Sequence, residues 1–216
     1  MRILIFGNSI TQGFYDTECS GWANRLATYC MKKAVESDYK SEHSIFNLGV
    51  SGEDITGVSN RFESEILSRI GRKNETPDHI FIIVAVGVND TQVDVTTGEH
   101  RTEPEIYQAH LEQMVIYAKE QCAGVILLGL APIDDTGLDP IPWHSTHAYR
   151  NSEVKKYNKV IENVAQANDI SFISLNNIFG NKVTELTVDG IHPNAEGHRL
   201  IFERVKEALE KEGILS

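Results

Sequence analysis

Cysteine is scarce in this chain. The three present, Cys19, Cys30 and Cys122, are odd in number, widely spaced and without a CxxC pair. They exclude a disulfide framework and give no zinc-ligand spacing, so the expected setting is reduced and cytoplasmic and no metal is implied. Basic charge is also short: 20 Lys and Arg against 31 Asp and Glu leave a net charge of −11, and no basic run exceeds Lys32-Lys33 or Lys155-Lys156. Nucleic acid and anionic membrane surfaces are therefore poor partners. Long apolar runs are missing too. The longest, residues 80–88, falls far short of the roughly 20 residues that a membrane-spanning helix needs, so membrane insertion is not expected. The opening Met1-Arg2-Ile3-Leu4-Ile5-Phe6-Gly7 reads as a buried strand ending in a glycine turn, with no room for a secretory leader. Repeats, low-complexity tracts and composition breaks are absent, which predicts one domain over 1–216.

What is present is ordinary globular material, 41% hydrophobic and 24% charged, in a chain long enough to bury a sizeable core. Short apolar runs at 3–6, 44–48, 80–86, 124–130 and 170–175 are continuous rather than alternating, as strands buried on both faces are. Between them lie sets with helical spacing. Ile55, Val58, Phe62, Ile66 and Ile70 form one face, and Tyr107, Leu111, Met114, Val115, Ala118 and Cys122 another. Val154, Tyr157, Ile161, Val164 and Ala165 form a third, and Leu200, Ile201, Val205, Ala208 and Leu209 a fourth. Thr102-Glu103-Pro104-Glu105 reads as a capping box opening the second helix. Alternating strands and helices predict an α/β fold with a mainly parallel sheet covered on both sides. The long irregular stretches 91–102 and 131–145 both follow a strand, which places them at the carboxyl edge, where such sheets bind ligands.

Four polar or glycine-containing turns converge on that edge: Gly7-Asn8-Ser9-Ile10-Thr11, the turn ending in Ser51-Gly52, Gly87-Val88-Asn89-Asp90, and Asp189-Gly190-Ile191-His192-Pro193-Asn194. Together they hold the parts of a nucleophilic site. A serine hydroxyl needs a base, the base needs an acceptor that fixes its tautomer, and the tetrahedral intermediate needs donors aimed at its oxyanion. Ser9 is the candidate nucleophile, His192 the base and Asp189 the group that orients it. The N–H groups of Ser9 and Gly52 and the side-chain amide of Asn89 are the candidate oxyanion donors.

Singly, each of these residues has a bland explanation. Ser9 can be a helix cap, Gly52 a turn residue with positive φ, Asn89-Asp90 a cap, and His192-Pro193 a plain helix start. Jointly and in this order they resemble the GDSL-type, or SGNH, hydrolase family, with Gly87-Val88-Asn89-Asp90 similar to its G-x-N-D block and Asp189–His192 similar to its D-x-x-H block. The likeness runs from the first strand to the last helix. It departs in the first block, where Asn8 and Ile10 stand for Asp and Leu, so the turn keeps an acceptor but loses a charge. The resemblance implies a flavodoxin-like three-layer α/β/α sandwich with a five-stranded sheet. It also implies hydrolysis of esters or thioesters through an acyl-serine intermediate, with no cofactor.

Other features carry less. His43, His79, His100, His110 and His198 fall singly and read as structural. His144 and His147 could be half a metal site but have no cysteine or carboxylate clustered with them in the sequence. Trp143 is either a wall of the substrate pocket or a core anchor for its loop. The acidic composition leans toward a small-molecule ester that is polar or short-acyl, such as an acetylated carbohydrate; lysophospholipase and acyl-thioesterase activities are the alternatives within the family. A homo-oligomer is compatible with the sequence. From a different class, a flavodoxin-like module holding a nucleotide or flavin phosphate at residues 8–13 would leave Asn89, Asp189 and His192 without a role, and neither a Walker pattern nor G-x-G-x-x-G is present.

Overall fold

A computed structural model of the chain describes residues 1–70 and 77–215. The elements in order are β1 (Arg2–Gly7), α1 (Ser9–Gln12), α2 (Trp22–Glu36), β2 (Ser44–Gly49), α3 (Ile55–Leu67), β3 (Ile80–Ala85), β4 (Val93–Asp94), α4 (Pro104–Gln121), β5 (Gly124–Leu128), β6 (His147–Ala148), α5 (Asn151–Ala167), β7 (Ser171–Ile173), α6 (Val183–Leu186) and α7 (Ala195–Lys211). Five strands form one parallel sheet in the order β2-β1-β3-β5-β7. This is the flavodoxin-like order, sandwiched between helices as expected.

The pleat sorts the side chains into two cores. Leu4 and Phe6 of β1, with Ile80, Ile82 and Val84 of β3, face Ile55, Val58 and Phe62 of α3, Tyr107 and Leu111 of α4 and Tyr157 of α5. Ile3, Ile5 and Ile83 point the other way, against Trp22 and Leu26 of α2 and Ile201 and Val205 of α7. Helix α2 lies outside the faces read from the sequence, although Trp22, Leu26, Cys30 and Ala34 have helical spacing and are buried.

The expected capping box is not formed. Glu103 is itself the residue before α4 and makes no side-chain cap, with Pro104 in the first turn as expected. Its carboxylate is drawn instead to the His100 backbone N–H and ring. The two long irregular stretches are also joined by regular structure. Val93–Asp94, within the first, and His147–Ala148, just after the second, pair antiparallel and tie the two excursions together over the carboxyl edge. The chain leaves β1 for the edge strand β2 and returns to β3 on the other side of β1, so the topological switch point lies between β1 and β3. The turns carrying Ser9 and Asn89 emerge there. No helix among the described residues is long and apolar enough to cross a membrane.

Candidate active site

Ser9 owes its position to the residue before it. Asn8 caps α1, its side-chain oxygen accepting the Ile10 N–H at 3.2 Å, so the amide performs the capping expected of an aspartate without the charge. Ser9 opens the helix, which ends after one turn at Gly13. Its Oγ lies 2.8 Å from Nε2 of His192. On the other side of the imidazole, Nδ1 is 2.7 Å from Oδ2 of Asp189. The second oxygen of Asp189 accepts the backbone N–H groups of Ile191 at 3.1 Å and His192 at 2.8 Å. Burial opposes the charge on Asp189, but its bonds to the His192 ring and backbone prevail and hold the carboxyl below its ordinary range. The carboxylate thus requires Nδ1 to be the protonated nitrogen and leaves Nε2 as an acceptor facing the Ser9 hydroxyl.

The expected donors converge on the same cleft. It has a volume of about 550 Å³ and is lined by Ser9, Gly52, Asn89, Asp189 and His192 together with Tyr15, Gln92, Arg101, Trp143 and Tyr149. Gly52 adopts φ +78°, and open space surrounds the place a Cβ would take. Backbone conformation, rather than crowding, is what calls for glycine there. Its carbonyl accepts from the Arg101 guanidinium at 2.8 Å. Asn89 is nearly buried; its Nδ2 donates to the Glu53 carbonyl at 2.8 Å and its Oδ1 accepts from the Tyr149 hydroxyl at 2.9 Å. Glu53 is in turn gripped by Arg61, which also reaches the Leu48 carbonyl at 2.7 Å.

Asp90, fully buried beside Asn89, accepts the Ile55 N–H with both oxygens at 3.0 and 3.2 Å, and Thr102 bonds to it as well. Burial pushes its carboxyl up to about 7 against these bonds. Asp90 therefore ties the start of α3, the Asn89 turn and the start of α4 together.

Several residues of the site were not legible as such. Phe14 and Tyr15 flank the His192 ring, at centroid distances of 5.8 and 5.4 Å, with Tyr15 edge-on. Their loop is clamped by Asp16, which accepts the N–H groups of Glu18, Cys19 and Gly21 and both arms of Arg25. Burial opposes the Asp16 charge, but these bonds hold it well below the usual carboxylate range. His198, fully buried, accepts the Trp22 N–H through Nδ1, and its Nε2 lies 3.0 Å from the Phe14 carbonyl, to which it donates. That matches its structural reading, and burial lowers its basicity.

Trp143 is 59% exposed and lines the cleft, so it walls the site and does not anchor a core. His144 and His147 contact each other edge-on, and among the described residues no group of three potential metal ligands forms around them or elsewhere.

Comparison with known proteins agrees with this architecture. The model of the GDSL-like Lipase/Acylhydrolase family matches residues 5–200. A GDSL esterase/lipase of Arabidopsis thaliana is 24% identical over 226 residues, which take in 99% of this chain and 87% of that protein. Among solved structures, the acetylxylan esterase Axe2 of Geobacillus stearothermophilus superposes with a TM-score of 0.69 at 19% identity, covering 95% of this chain and 92% of that one. The α/β hydrolase LAE5 from the metagenome of Lake Arreo superposes with a TM-score of 0.71 at 20% identity, covering 100% and 96%.

Proposed function

The chain belongs to the GDSL-like lipase/acylhydrolase family, and from that premise we propose that it hydrolyses short-acyl carboxylic esters of a polar, carbohydrate-like alcohol at Ser9. The observation that carries the reading is the continuous line from Ser9 Oγ through the His192 ring to Asp189, with bonds of 2.8 and 2.7 Å, opening into a cleft that also holds Gly52 and Asn89.

In the first half-reaction Ser9 Oγ attacks the ester carbonyl as His192 Nε2 takes its proton. Asp189 stabilises the imidazolium that forms. The N–H groups of Ser9 and Gly52 and the side-chain N–H of Asn89 face the developing oxyanion, where fixed donors act with no reorganisation at the moment of reaction. His192 then returns the proton to the leaving alcohol, giving the acyl-serine. Water, deprotonated by the same imidazole, attacks that acyl group, and Ser9 is regenerated as the acid departs.

The lining of the cleft supports a polar alcohol. The open cleft mixes aromatic surface from Tyr15 and Trp143 with polar groups from Ser51, Gln92 and Arg101, a lining suited to a hydroxyl-rich leaving group. Acetylxylan esterases among the structural neighbours agree with that direction.

The test is labelling with a fluorophosphonate, followed by peptide mapping and by profiling of esters of increasing acyl length. Ser9 alone among the serines should be labelled, and rates should fall beyond short chains. Labelling that persists in Ser9→Ala would sink the assignment, and a preference for long acyl chains would move the activity to the lysophospholipase reading.

A further inference from the structure

The Asn89 side chain is held from two sides, and the direction of each bond can be read from chemistry alone. The Glu53 carbonyl can only accept, so the atom of Asn89 that meets it at 2.8 Å must be the amide nitrogen. The amide oxygen then faces Tyr149, whose hydroxyl is 2.9 Å away and must donate to it. With its proton so committed, the Tyr149 oxygen is left to accept from the Gln92 amide, which meets it in a short bond. One Asn89 N–H is taken by Glu53. The other is the end of the line, and Asn89, Tyr149 and Gln92 all belong to the lining of the cleft that holds Ser9.

From this we propose that Tyr149, backed by Gln92, is a positioning residue of the oxyanion hole: it locks the Asn89 amide with an N–H toward the reacting carbonyl and polarises that N–H by donating to the amide oxygen. The proposal rests on the hydrolase reading above. Hydrogen bonds in series polarise one another, each strengthening the next by ~10–30%, and the effect is largest away from solvent, where Tyr149 and Asn89 both lie. Burial also raises the Tyr149 hydroxyl to about 12, so the donor keeps its proton at any pH where an esterase would be assayed. Because its proton is spent on Asn89, Tyr149 has none to give to substrate. Its influence on the reaction therefore passes through Asn89.

That dependence is what an experiment can isolate. The wild-type chain, Tyr149→Phe, Gln92→Leu, Asn89→Ala and the Tyr149→Phe/Asn89→Ala pair are compared on 4-nitrophenyl acetate, with kcat and KM read separately and the rate of Ser9 labelling by a fluorophosphonate read alongside. Loss of the Tyr149 hydroxyl should lower kcat about 5- to 30-fold with KM within about twofold, the scale of one hydrogen bond felt in the transition state. Gln92→Leu should act in the same direction but less, and labelling should slow in parallel. In the Asn89→Ala background the Tyr149 substitution should have no further effect, which a merely structural tyrosine would not obey.

A Tyr149→Phe enzyme with wild-type kcat, one impaired in KM alone, or one losing as much activity without Asn89 as with it would overturn the proposal. Should Tyr149→Phe fail to fold, the same cycle between Gln92→Leu and Asn89→Ala decides the matter. A wild-type chain that neither cleaves the ester nor labels at Ser9 would overturn the hydrolase reading itself, a result distinct from an active enzyme indifferent to Tyr149.

Discussion

The two halves of the site are held in place by different means. On the nucleophile side, Asp189 reaches the ring and backbone of His192 within a single turn, three positions away, and one further bond across 183 positions brings the imidazole to Ser9. On the donor side almost nothing is local. Asn89 is fixed by Glu53 and Tyr149, 36 and 60 positions distant, and the Gly52 peptide is gripped by Arg101 from 49 positions away. A turn that satisfies its own polar groups can be written as a short motif. Donors that must stand in open space facing a substrate cannot bond one another, so the rest of the fold has to hold them.

That contrast sets the order of expected losses. The largest falls on the nucleophile side, where the groups act as one unit: Ser9→Ala and His192→Ala should each remove at least about a thousandfold of kcat, and Asp189→Ala somewhat less. Kinetics of the Asp189→Ala/His192→Ala pair sharpen the point, since the double variant should be no worse than His192→Ala alone. A product of the two single losses would break the idea of a self-contained unit.

Next comes the donor side. Asn89→Ala should lower kcat by about 10²- to 10³-fold with little change in KM, as loss of one oxyanion donor does elsewhere. If steady-state rates showed the loss in KM instead, Asn89 would be a substrate-holding residue and the two halves would not differ in the way described. Smaller still is the effect of the walls. Trp143→Ala should raise KM a few fold for a carbohydrate ester while leaving 4-nitrophenyl acetate nearly unaffected, the result expected of an exposed indole in the cleft lining that serves the alcohol rather than the reacting carbonyl.

The least conspicuous prediction concerns stability. The Asp90 carboxyl titrates near 7 in the folded chain against about 3.8 for the free group. Between those values the folded chain keeps a proton that the unfolded chain has lost, so stability from this group is full at low pH and declines as pH rises from about 4 through 7. Urea midpoints across that window should fall less steeply for Asp90→Asn than for the wild-type chain. An unchanged slope would show that Asp90 is ionised throughout, as the two bonds from Ile55 would then have won over burial.

Legibility follows the same division. The strand runs are continuous because both sheet faces are covered, and that pattern alone gave the parallel α/β architecture and the edge on which the turns would meet. Helix α2 was harder, since Gly21 precedes it with no side-chain cap and its buried stripe of Trp22, Leu26, Cys30 and Ala34 is narrow and built partly of small side chains. The capping box failed because α4 begins one position later, with Glu103 before its first turn, while Thr102, the residue that would have capped it, bonds to the buried Asp90 carboxyl, a partner no local pattern contains.

By itself, then, the sequence determined the layers, the carboxyl edge on which the turns meet and the choice of Ser9, Asp189, His192, Gly52 and Asn89 as candidates, because periodicity and turn chemistry act over a few residues and are written out in order; the switch point came with the strand order. Only the tertiary structure decided which groups stand behind them. The β4–β6 pairing links the excursions that carry Gln92 and Arg101 on one side and Trp143 and Tyr149 on the other. The bonds of Tyr149 and Arg101 then settle where the Asn89 amide and the Gly52 peptide are held. Hydrogen bonds between residues tens of positions apart leave no periodic trace in a chain, and become visible only when folding has brought both partners to the same edge of the sheet.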